Sequence, residues 1–257
     1  EPQSYACIAK EFADGAKRAA SVSEIGARVR SAALESVSAH LLADVEVGVF
    51  LSAGVDSGAL LGLMKNAGQE RIRAITLAFD EFQGTSEDEA PLAAEVARYY
   101  GAEHIVRRIS EAEFRSDLPA ILDAMDQPSI DGINTWFVSK AAREAGLKVA
   151  LSGLGGDEIL AGYPSFKSIP RWVNLLKVPA SVPGLGVATR ELLSILGLAK
   201  NNPKASGLLQ YGGTYAGAYL LRRGLILPHE LKTVLDDETV RIGLRRLNFS
   251  ARLYKSM

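Results

Sequence analysis

The chain is poor in the residue types that carry disulfide, redox and metal–thiolate chemistry. Cys7 is its single cysteine among 257 residues, which excludes an internal disulfide framework and disfavours a thiolate metal site. The three histidines, His40, His104 and His229, are scattered without the spacing of metal ligands. This composition fits a reducing compartment, and we expect a cytoplasmic protein.

An excess of charge and long apolar runs are also lacking. The formal net charge is −1, so nothing indicates bulk attraction to nucleic acid or to an anionic membrane. No apolar run approaches the roughly 20 residues of a membrane-spanning helix, and no signal-peptide pattern opens the chain. The sequence begins without Met and stops within a helical pattern, so we expect a piece of a longer protein. A homodimer is one expected assembly.

What is present is an alternation of strand and helix patterns. Four short apolar runs, "VEVGVFL", "RIRAITLAF", "AEHIVRRI" and "LKVALS", are separated by segments with helical periodicity. Such an alternation is typical of a doubly wound α/β fold, in which a parallel sheet is covered by helices on both faces. Right-handed crossovers would then place the loop after every strand at the same edge of the sheet.

The composition and periodicity of the sequence divide the chain into three parts. From Ile169 onward it is apolar, interrupted by Pro and Gly, and helical by pattern. We therefore predict a lead-in over residues 1–22, an α/β domain over 23–168, and a helical appendage over 169–257 that is truncated at its C-terminus.

The segment "VFLSAGVDSGALL", Val49–Leu61, ends the first apolar run in an unusual turn. A strand that runs into a short loop and a helix presents free backbone N–H groups, which bind phosphate. Gly54 permits close approach, and Ser52 and Ser57 offer hydroxyl donors. Asp56 would repel phosphate unless a divalent cation intervenes, and Mg²⁺ is the usual partner of nucleotide phosphates. The alternative is a surface turn whose Ser and Asp side chains only cap a helix.

A second loop of the same kind follows the fourth apolar run, in "ALSGLGGDEILAGY". It contains a Ser-Gly pair, two more glycines and an acidic pair: Ser152, Gly153, Gly155, Gly156, Asp157 and Glu158. If the first and fourth strands are neighbours at the switch point of the sheet, the two loops form the walls of one crevice. Two such loops together predict a phosphate site with two carboxylates for Mg²⁺.

These two motifs resemble those of a known family. "FLSAGVDSGAL" is similar to the S-G-G-x-D-S pyrophosphate loop of the N-type ATP pyrophosphatases, which have the adenine nucleotide alpha-hydrolase-like fold. Its pairing with "LSGLGGDEILAGY" resembles the C-terminal synthetase domain of the glutamine-hydrolysing asparagine synthetase family. That resemblance implies an AMP-forming ligase that adenylates a small carboxylate and forms an amide from ammonia or an amine. It also implies a glutaminase domain upstream.

The resemblance further implies roles for individual residues. Leu77 would contact adenine through its backbone, and Asp56 and Asp157 would bind Mg²⁺. The expected ATP and pyrophosphate ligands are Leu51, Ser52, Gly54, Asp56, Ser57, Leu77, Ser152 and Gly153. The family also has a catalytic lysine further along the chain, a role that "ARLYKSM" does not allow us to assign to Lys255.

The sequence departs from the family at two positions, Ala53 and Leu154. Ala53 stands where the loop usually has a second glycine. Leu154 occupies a position that is commonly acidic, so no general base can be assigned there. Loss of a base costs about 10²–10⁴-fold in rate unless another group replaces it. Asp126, Asp131 and Glu158 are candidate replacements, although an acid in such a place is more often a solvated or capping residue than a base.

The segment "DQPSIDGINTWF" precedes the fourth strand and could line the pocket of the acceptor substrate. The acceptor-pocket candidates are Asp126, Asp131, Asn134 and Glu158. The same segment is equally consistent with a turn built on Pro128 and Gly132, in which an aromatic side chain docks the following helix.

Two other functions remain open from the sequence. The departures at Ala53 and Leu154 would also suit a nucleotide-binding module, or pseudo-enzyme subunit, without amide-forming activity. Another pyrophosphatase family, such as NAD or GMP synthetase, would use the first loop without the second.

Overall fold

The structure is a computed structural model. It describes residues 7, 11, 21–127, 129–197, 203–248 and 251–253; Pro128 and Lys255 lie outside these ranges. The chain divides into two compact units. One unit runs from Arg18 to Gly156, and the other contains Asp157–Met257. The bound predicted at residue 168 stays a prediction.

The first unit is built on a four-stranded parallel sheet in the order β3-β2-β1-β4. Its strands are β1 (Val47–Phe50), β2 (Arg73–Phe79), β3 (Glu103–Ile109) and β4 (Val149–Leu151). The chain adds strands outward from β1 to β3 and then returns to the other side of β1 for β4. The predicted doubly wound α/β fold is therefore confirmed, and its switch point lies between β1 and β4.

Five helices accompany the sheet in the described part of this unit. They are α1 (Val22–His40), α2 (Val55–Asn66), α3 (Ala90–Tyr100), α4 (Glu111–Ala124) and α5 (Gly132–Glu144). Successive residues of β2 point to opposite faces of the sheet. Ala74 packs in a cluster with residues of α1, α2 and α3, whereas Ile75 packs against Ala141 of α5. Both faces of the sheet are thus covered, which explains why its strands are almost continuously apolar.

The start of α3 differs from the sequence pattern. Ser86 and Glu89 of "SEDEAPLAAEV" predict a capping box, yet α3 begins only at Ala90, with a proline in its first turn and no side-chain hydrogen bond from Glu89 at the cap. Asp88 instead accepts a hydrogen bond from the Ala90 backbone N–H at 3.2 Å and pairs with Arg108 of β3 at 3.0 Å. The tertiary ion pair therefore sets where this helix begins.

Regular structure in the described part of the second unit is helical. Its longer helices are α7 (Ser165–Leu176), α8 (Leu185–Ile195), α11 (Tyr215–Arg223) and α12 (Asp237–Leu247), with short helices α6 (Gly156–Leu160), α9 (Pro203–Ser206) and α10 (Leu208–Tyr211). Ile169 and Val173 of α7 pack against Ala218 of α11. None of the helices in the described ranges combines the length and the apolar character needed to cross a membrane.

Candidate functional site

The loops that follow β1 and β4 meet at the switch point of the sheet. Val49 of β1 pairs with Leu151 of β4, so both strands end side by side. Gly153 packs directly on the start of α2: a β-carbon placed on it would lie 3.1 Å from the backbone nitrogen of Ser57 and 3.3 Å from the β-carbon of Asp56. Only a glycine allows this approach without a shift. This packing confirms that the two loops meet; the crevice between them stays a prediction.

Gly156 makes the second close approach between the loops. A β-carbon at this position would lie 2.5 Å from one carboxylate oxygen of Asp56 and 3.0 Å from the other. The Asp56 carboxylate is therefore held against the glycine that opens α6. The two glycines bring a carboxylate and two strand-end loops into one small volume.

The first loop is closed by a network of hydroxyl groups. The Ser57 hydroxyl accepts a hydrogen bond from the Ser52 backbone N–H at 3.1 Å and lies 3.0 Å from the Ser52 hydroxyl. Ser57 is buried, and its oxygen is also 3.1 Å from the carbonyl oxygens of Ser52 and Gly54. The Ser52 hydroxyl in turn accepts from the Gly54 N–H. The two serines thus hold the loop in one conformation before any ligand binds.

The N-terminus of α2 has no side-chain cap. Gly54 is its N-cap and has no side chain to cap the helix, and the first intrahelical bond runs from the Gly58 N–H to the Gly54 carbonyl. The backbone N–H groups of the first turn therefore lie at the positive end of the helix dipole. This arrangement can bind a phosphate group.

Beneath the loop lies a support that the sequence motifs did not reveal. The Thr76 hydroxyl donates a hydrogen bond to the Leu51 carbonyl at 2.7 Å, and His104 Nε2 lies 2.7 Å from the same hydroxyl. Because that hydroxyl has one hydrogen, His104 is the donor to Thr76. Burial lowers the pKa of His104 from its usual range. The end of β1 is therefore fixed by a histidine two strands away.

Comparison with known proteins agrees with this geometry. The family model described as asparagine synthase matches residues 28–226, a range that contains both loops. The chain belongs to the asparagine synthase family.

Individual relatives cover parts of this range. The glutamine-hydrolysing asparagine synthetase 1 of Bacillus subtilis is 31% identical over 188 residues, covering 72% of this chain and 28% of that protein. A putative asparagine synthetase of Mycobacterium bovis is 39% identical over 135 residues, covering 52% of this chain and 20% of that protein. The amidase chyE of Penicillium rubens is 28% identical, covering 78% of this chain and 31% of that protein. The chain spans under a third of the length of these relatives.

A solved structure was also similar. The NH3-dependent NAD synthetase of Campylobacter jejuni matches 88% of this chain and 95% of that chain, at 15% identity and a TM-score of 0.38. A similarity this low carries no argument about function.

Other residues implied by the asparagine synthase resemblance lie at the same edge of the sheet. Leu77 lies in β2, two residues beyond Ile75, the β2 partner of Phe50 at the end of β1, and packs beside the cluster of Ile109 and Phe137. Ser152 follows β4 directly and is exposed. Both positions are at the carboxyl ends of strands, where ligands bind in sheets of this kind.

Asp157 and Glu158 open the second unit, and their contacts there are local. The Asp157 carboxylate lies against Gly162, where a β-carbon would collide with it. Glu158 accepts a hydrogen bond from the Tyr163 hydroxyl at 2.9 Å, which raises the pKa of Tyr163. The Arg223 guanidinium lies 4.9 Å above the Tyr163 ring. Glu158 is thus already engaged by a tyrosine.

The acceptor-pocket candidates of the first unit lie on the surface. Asp126, Asp131 and Asn134 are exposed, and Asp131 precedes α5 without a side-chain capping bond. Asp126 lines a cavity of about 560 Å³ together with Trp136 and Lys140. The structure therefore places one of the three, Asp126, beside a cavity.

No group of three or more His, Cys, Asp or Glu side chains in the described ranges is arranged to hold a metal ion. A site built from two aspartates can still bind Mg²⁺, because this ion usually takes one or two carboxylates and completes its shell with water and substrate phosphates. Asp56, held at the contact between the loops, can supply one such carboxylate.

Proposed function

We propose that this chain is the ATP-binding synthetase part of an enzyme that forms an amide from a carboxylate, with release of AMP and pyrophosphate. The observation that carries the proposal is the packing of Gly153 and Gly156 on Asp56 and Ser57, because it joins two phosphate-binding loops into one site. Membership of the asparagine synthase family supports it.

In this proposal the uncapped end of α2 holds the pyrophosphate portion of ATP. The N–H groups of the first turn and the Ser52 hydroxyl donate to phosphate oxygens, while Ser57 keeps the loop closed. Leu77 contacts adenine through its backbone, Leu51 also contributes to the ATP site, and Ser152 and Gly153 flank the AMP portion. Mg²⁺, bound by Asp56 and Asp157, would neutralise charge on the phosphates.

The chemistry proceeds in two displacements. A carboxylate oxygen of the substrate attacks the α-phosphorus of ATP, and the bond from that phosphorus to the pyrophosphate oxygen breaks. Ammonia or an amine then attacks the acyl carbon, and AMP leaves with the bond electrons. Donors aimed at the departing pyrophosphate stabilise charge where it develops, which is usually the largest catalytic contribution.

The proton from the attacking amine needs an acceptor that Leu154 cannot provide. Asp126 and Asp131 are exposed and could act through water, whereas Glu158 already accepts a hydrogen bond from Tyr163. We therefore propose Asp126 or Asp131 in preference to Glu158 as the base.

A second candidate function is a nucleotide-binding module without amide-forming chemistry. It is favoured by one observation: Leu154, at the position where the family is commonly acidic, is 91% exposed and offers neither an acid nor a base. Under this alternative the protein binds Mg·ATP and does not activate a carboxylate.

The experiment that separates the two is ATP–pyrophosphate exchange with the full-length protein and a panel of carboxylates. Exchange that depends on one acid and is lost in Asp56→Asn supports the ligase. ATP binding without exchange across the panel supports the module. If Asp157→Asn leaves Mg·ATP binding intact while Asp56→Asn abolishes it, the second loop is detached from the site and the asparagine-synthetase-like assignment of the metal ligands is wrong.

The relatives from Bacillus subtilis and Mycobacterium bovis are named as glutamine-hydrolysing. By analogy we propose a glutaminase domain upstream in the full-length protein as the source of ammonia. The cytoplasmic location and the homodimer also stay predictions.

A further inference from the structure

The carboxyl edge of the sheet carries three exposed large apolar side chains, two on loops and one at the first residue of α2. Val55, Ile130 and Leu154 are 86%, 73% and 91% exposed, and Leu154 has the largest exposed fraction of any large apolar side chain in the described residues. Val55 follows the β1 loop and Leu154 lies on the β4 loop. Ile130 precedes α5, which leads down into β4, so its loop is at the same edge. Exposed apolar surface concentrated at a binding edge indicates contact with an apolar group.

The backbone on both sides of Leu154 is constrained. Its neighbour Gly153 is held against Asp56 and Ser57, and Gly155 on its other side has a positive φ of 97°. The leucine therefore projects from the point where the two loops touch. Val55 is the chain neighbour of Asp56, so both apolar side chains stand one residue away from the same contact.

The charges of these loops are of one sign. Residues 52–57, 125–131 and 152–156 contain Asp56, Asp126 and Asp131 and no Lys or Arg. A second carboxylate on the acceptor would find no Lys or Arg on these loops and would be repelled by Asp126 and Asp131. An alkyl or aromatic group would instead cover the exposed leucine.

We infer that the acceptor is a monocarboxylic acid with an apolar body, which lies against Leu154, and that aspartate is a poor substrate. This inference rests on the proposed function, since it names the substrate class of the same site. Leu154 is then a specificity residue that selects the acceptor by apolar contact.

The test compares two acids that share a skeleton. 4-Methylpentanoate differs from succinate by an isopropyl group in place of one carboxylate. ATP–pyrophosphate exchange by the full-length protein should give a kcat/KM at least about tenfold higher for 4-methylpentanoate than for succinate or aspartate, within the range known for apolar pockets.

Variants whose side chains have a similar shape show whether Leu154 causes the preference for the apolar acid. Leu154→Asn keeps the branching of the side chain and removes its apolar character. It should lower kcat/KM for 4-methylpentanoate about tenfold or more and change that for succinate less than about threefold. Leu42→Asn is the control, because Leu42 is 86% exposed in the segment before β1, at the opposite edge of the sheet. It should change neither value.

Three results of this experiment would contradict the proposals. Preference for succinate or aspartate, or an equal loss for all acids in Leu154→Asn, overturns the inference and leaves the ligase proposal intact. Absence of exchange with every acid overturns both.

Discussion

At the scale of single residues, the contact between the loops depends on glycine at two positions. Gly153 and Gly156 are the places where an added methyl group would meet the Ser57 backbone or the Asp56 carboxylate. Overlap at 2.5 Å cannot be accommodated without moving Asp56. The close approach that builds the site is therefore encoded by the absence of a side chain.

Gly156→Ala should displace the Asp56 carboxylate and lower the affinity for Mg·ATP about tenfold or more, as measured by isothermal titration calorimetry. The unfolding free energy should change by no more than about 0.5–1 kcal/mol, because the atoms in the way belong to the end of a side chain that can rotate away. Gly26→Ala on α1 is the control, because nothing lies within 4 Å of its added carbon; it should be neutral or slightly stabilising. Wild-type affinity in Gly156→Ala would show that the carboxylate is not a ligand.

Ser57→Ala tests the hydroxyl network. The variant leaves the partly buried Ser52 N–H without its acceptor, which should cost about 1–3 kcal/mol of unfolding free energy in urea denaturation. Ser38→Ala removes an exposed hydroxyl that donates to the Leu34 carbonyl of its own helix, and its effect should stay within about 0.5 kcal/mol. Equal effects in the two variants would contradict the structural role of Ser57.

The sequence predicts some of these residues and misses others. Ser52, Asp56 and Gly153 stand out locally because polar and glycine residues interrupt apolar runs. Thr76 and His104 do not, since their contacts join residues 25 and 28 positions apart. A threonine and a histidine within strands give no local signal, so only the register of β1, β2 and β3 reveals them.

At the scale of elements, a charged network attaches α4 and α5 to the edge strand β3. Arg107 of β3 pairs with Glu113 of α4 at 2.6 Å and with Glu144 of α5 at 2.6 Å, and both bonds lower the pKa of those carboxyl groups. Lys140 of α5 bridges Glu113 and Asp117 on α4. The network holds the two helices that bound the cavity beside Asp126.

Arg107→Met should loosen both helices together. We expect a loss of about 1–2 kcal/mol in unfolding free energy, because two charge-assisted bonds of a partly buried guanidinium are removed. Arg115→Met is the matched control, since Arg115 pairs with Glu111 within its own helix and both side chains are about three-quarters exposed. Its loss should not exceed about 0.5 kcal/mol. Equal losses would mean that the Arg107 network contributes no more than a surface pair.

Element boundaries show where local patterns are overridden. The serine at position 86 and the glutamate at 89 form a good capping signature, yet the ion pair between Asp88 and Arg108 starts α3 later. The capping motif and the tertiary ion pair favour different first residues for α3. The helix begins where the ion pair favours it.

At the scale of the whole molecule, stability should depend on pH through two histidines. Burial is the main cause that lowers the pKa of His104 in the first unit and of His229 in the second. The unfolded chain, whose histidines titrate near pH 6.5, therefore binds protons before the folded chain does. Unfolding free energy should be fully retained above about pH 6.5 and should decrease as the pH falls below it.

Urea denaturation between about pH 5 and pH 8 measures this dependence. His104→Gln should flatten the pH profile of the unfolding free energy. An identical slope in wild type and His104→Gln would contradict the assignment of the pH dependence to the buried ring.

The strand order was predictable from chemistry rather than from pairing rules. Two glycine-rich, acidic loops can form one phosphate and metal site only when they lie side by side. This requires β1 and β4 to be neighbouring strands. The order β3-β2-β1-β4 fulfils that requirement. The packing of the second unit could not be predicted in this way, because its apolar helical pattern contains no pair of motifs that must lie close together.

Hydrogen–deuterium exchange of the full-length protein with Mg²⁺ and a non-hydrolysable ATP analogue tests the joint site most directly. The nucleotide should slow exchange in peptides covering residues 52–58 and 152–156 together, and leave residues 22–40 of α1 unchanged. Protection of one loop alone, or of neither while the nucleotide is bound, would contradict a single site formed by both loops.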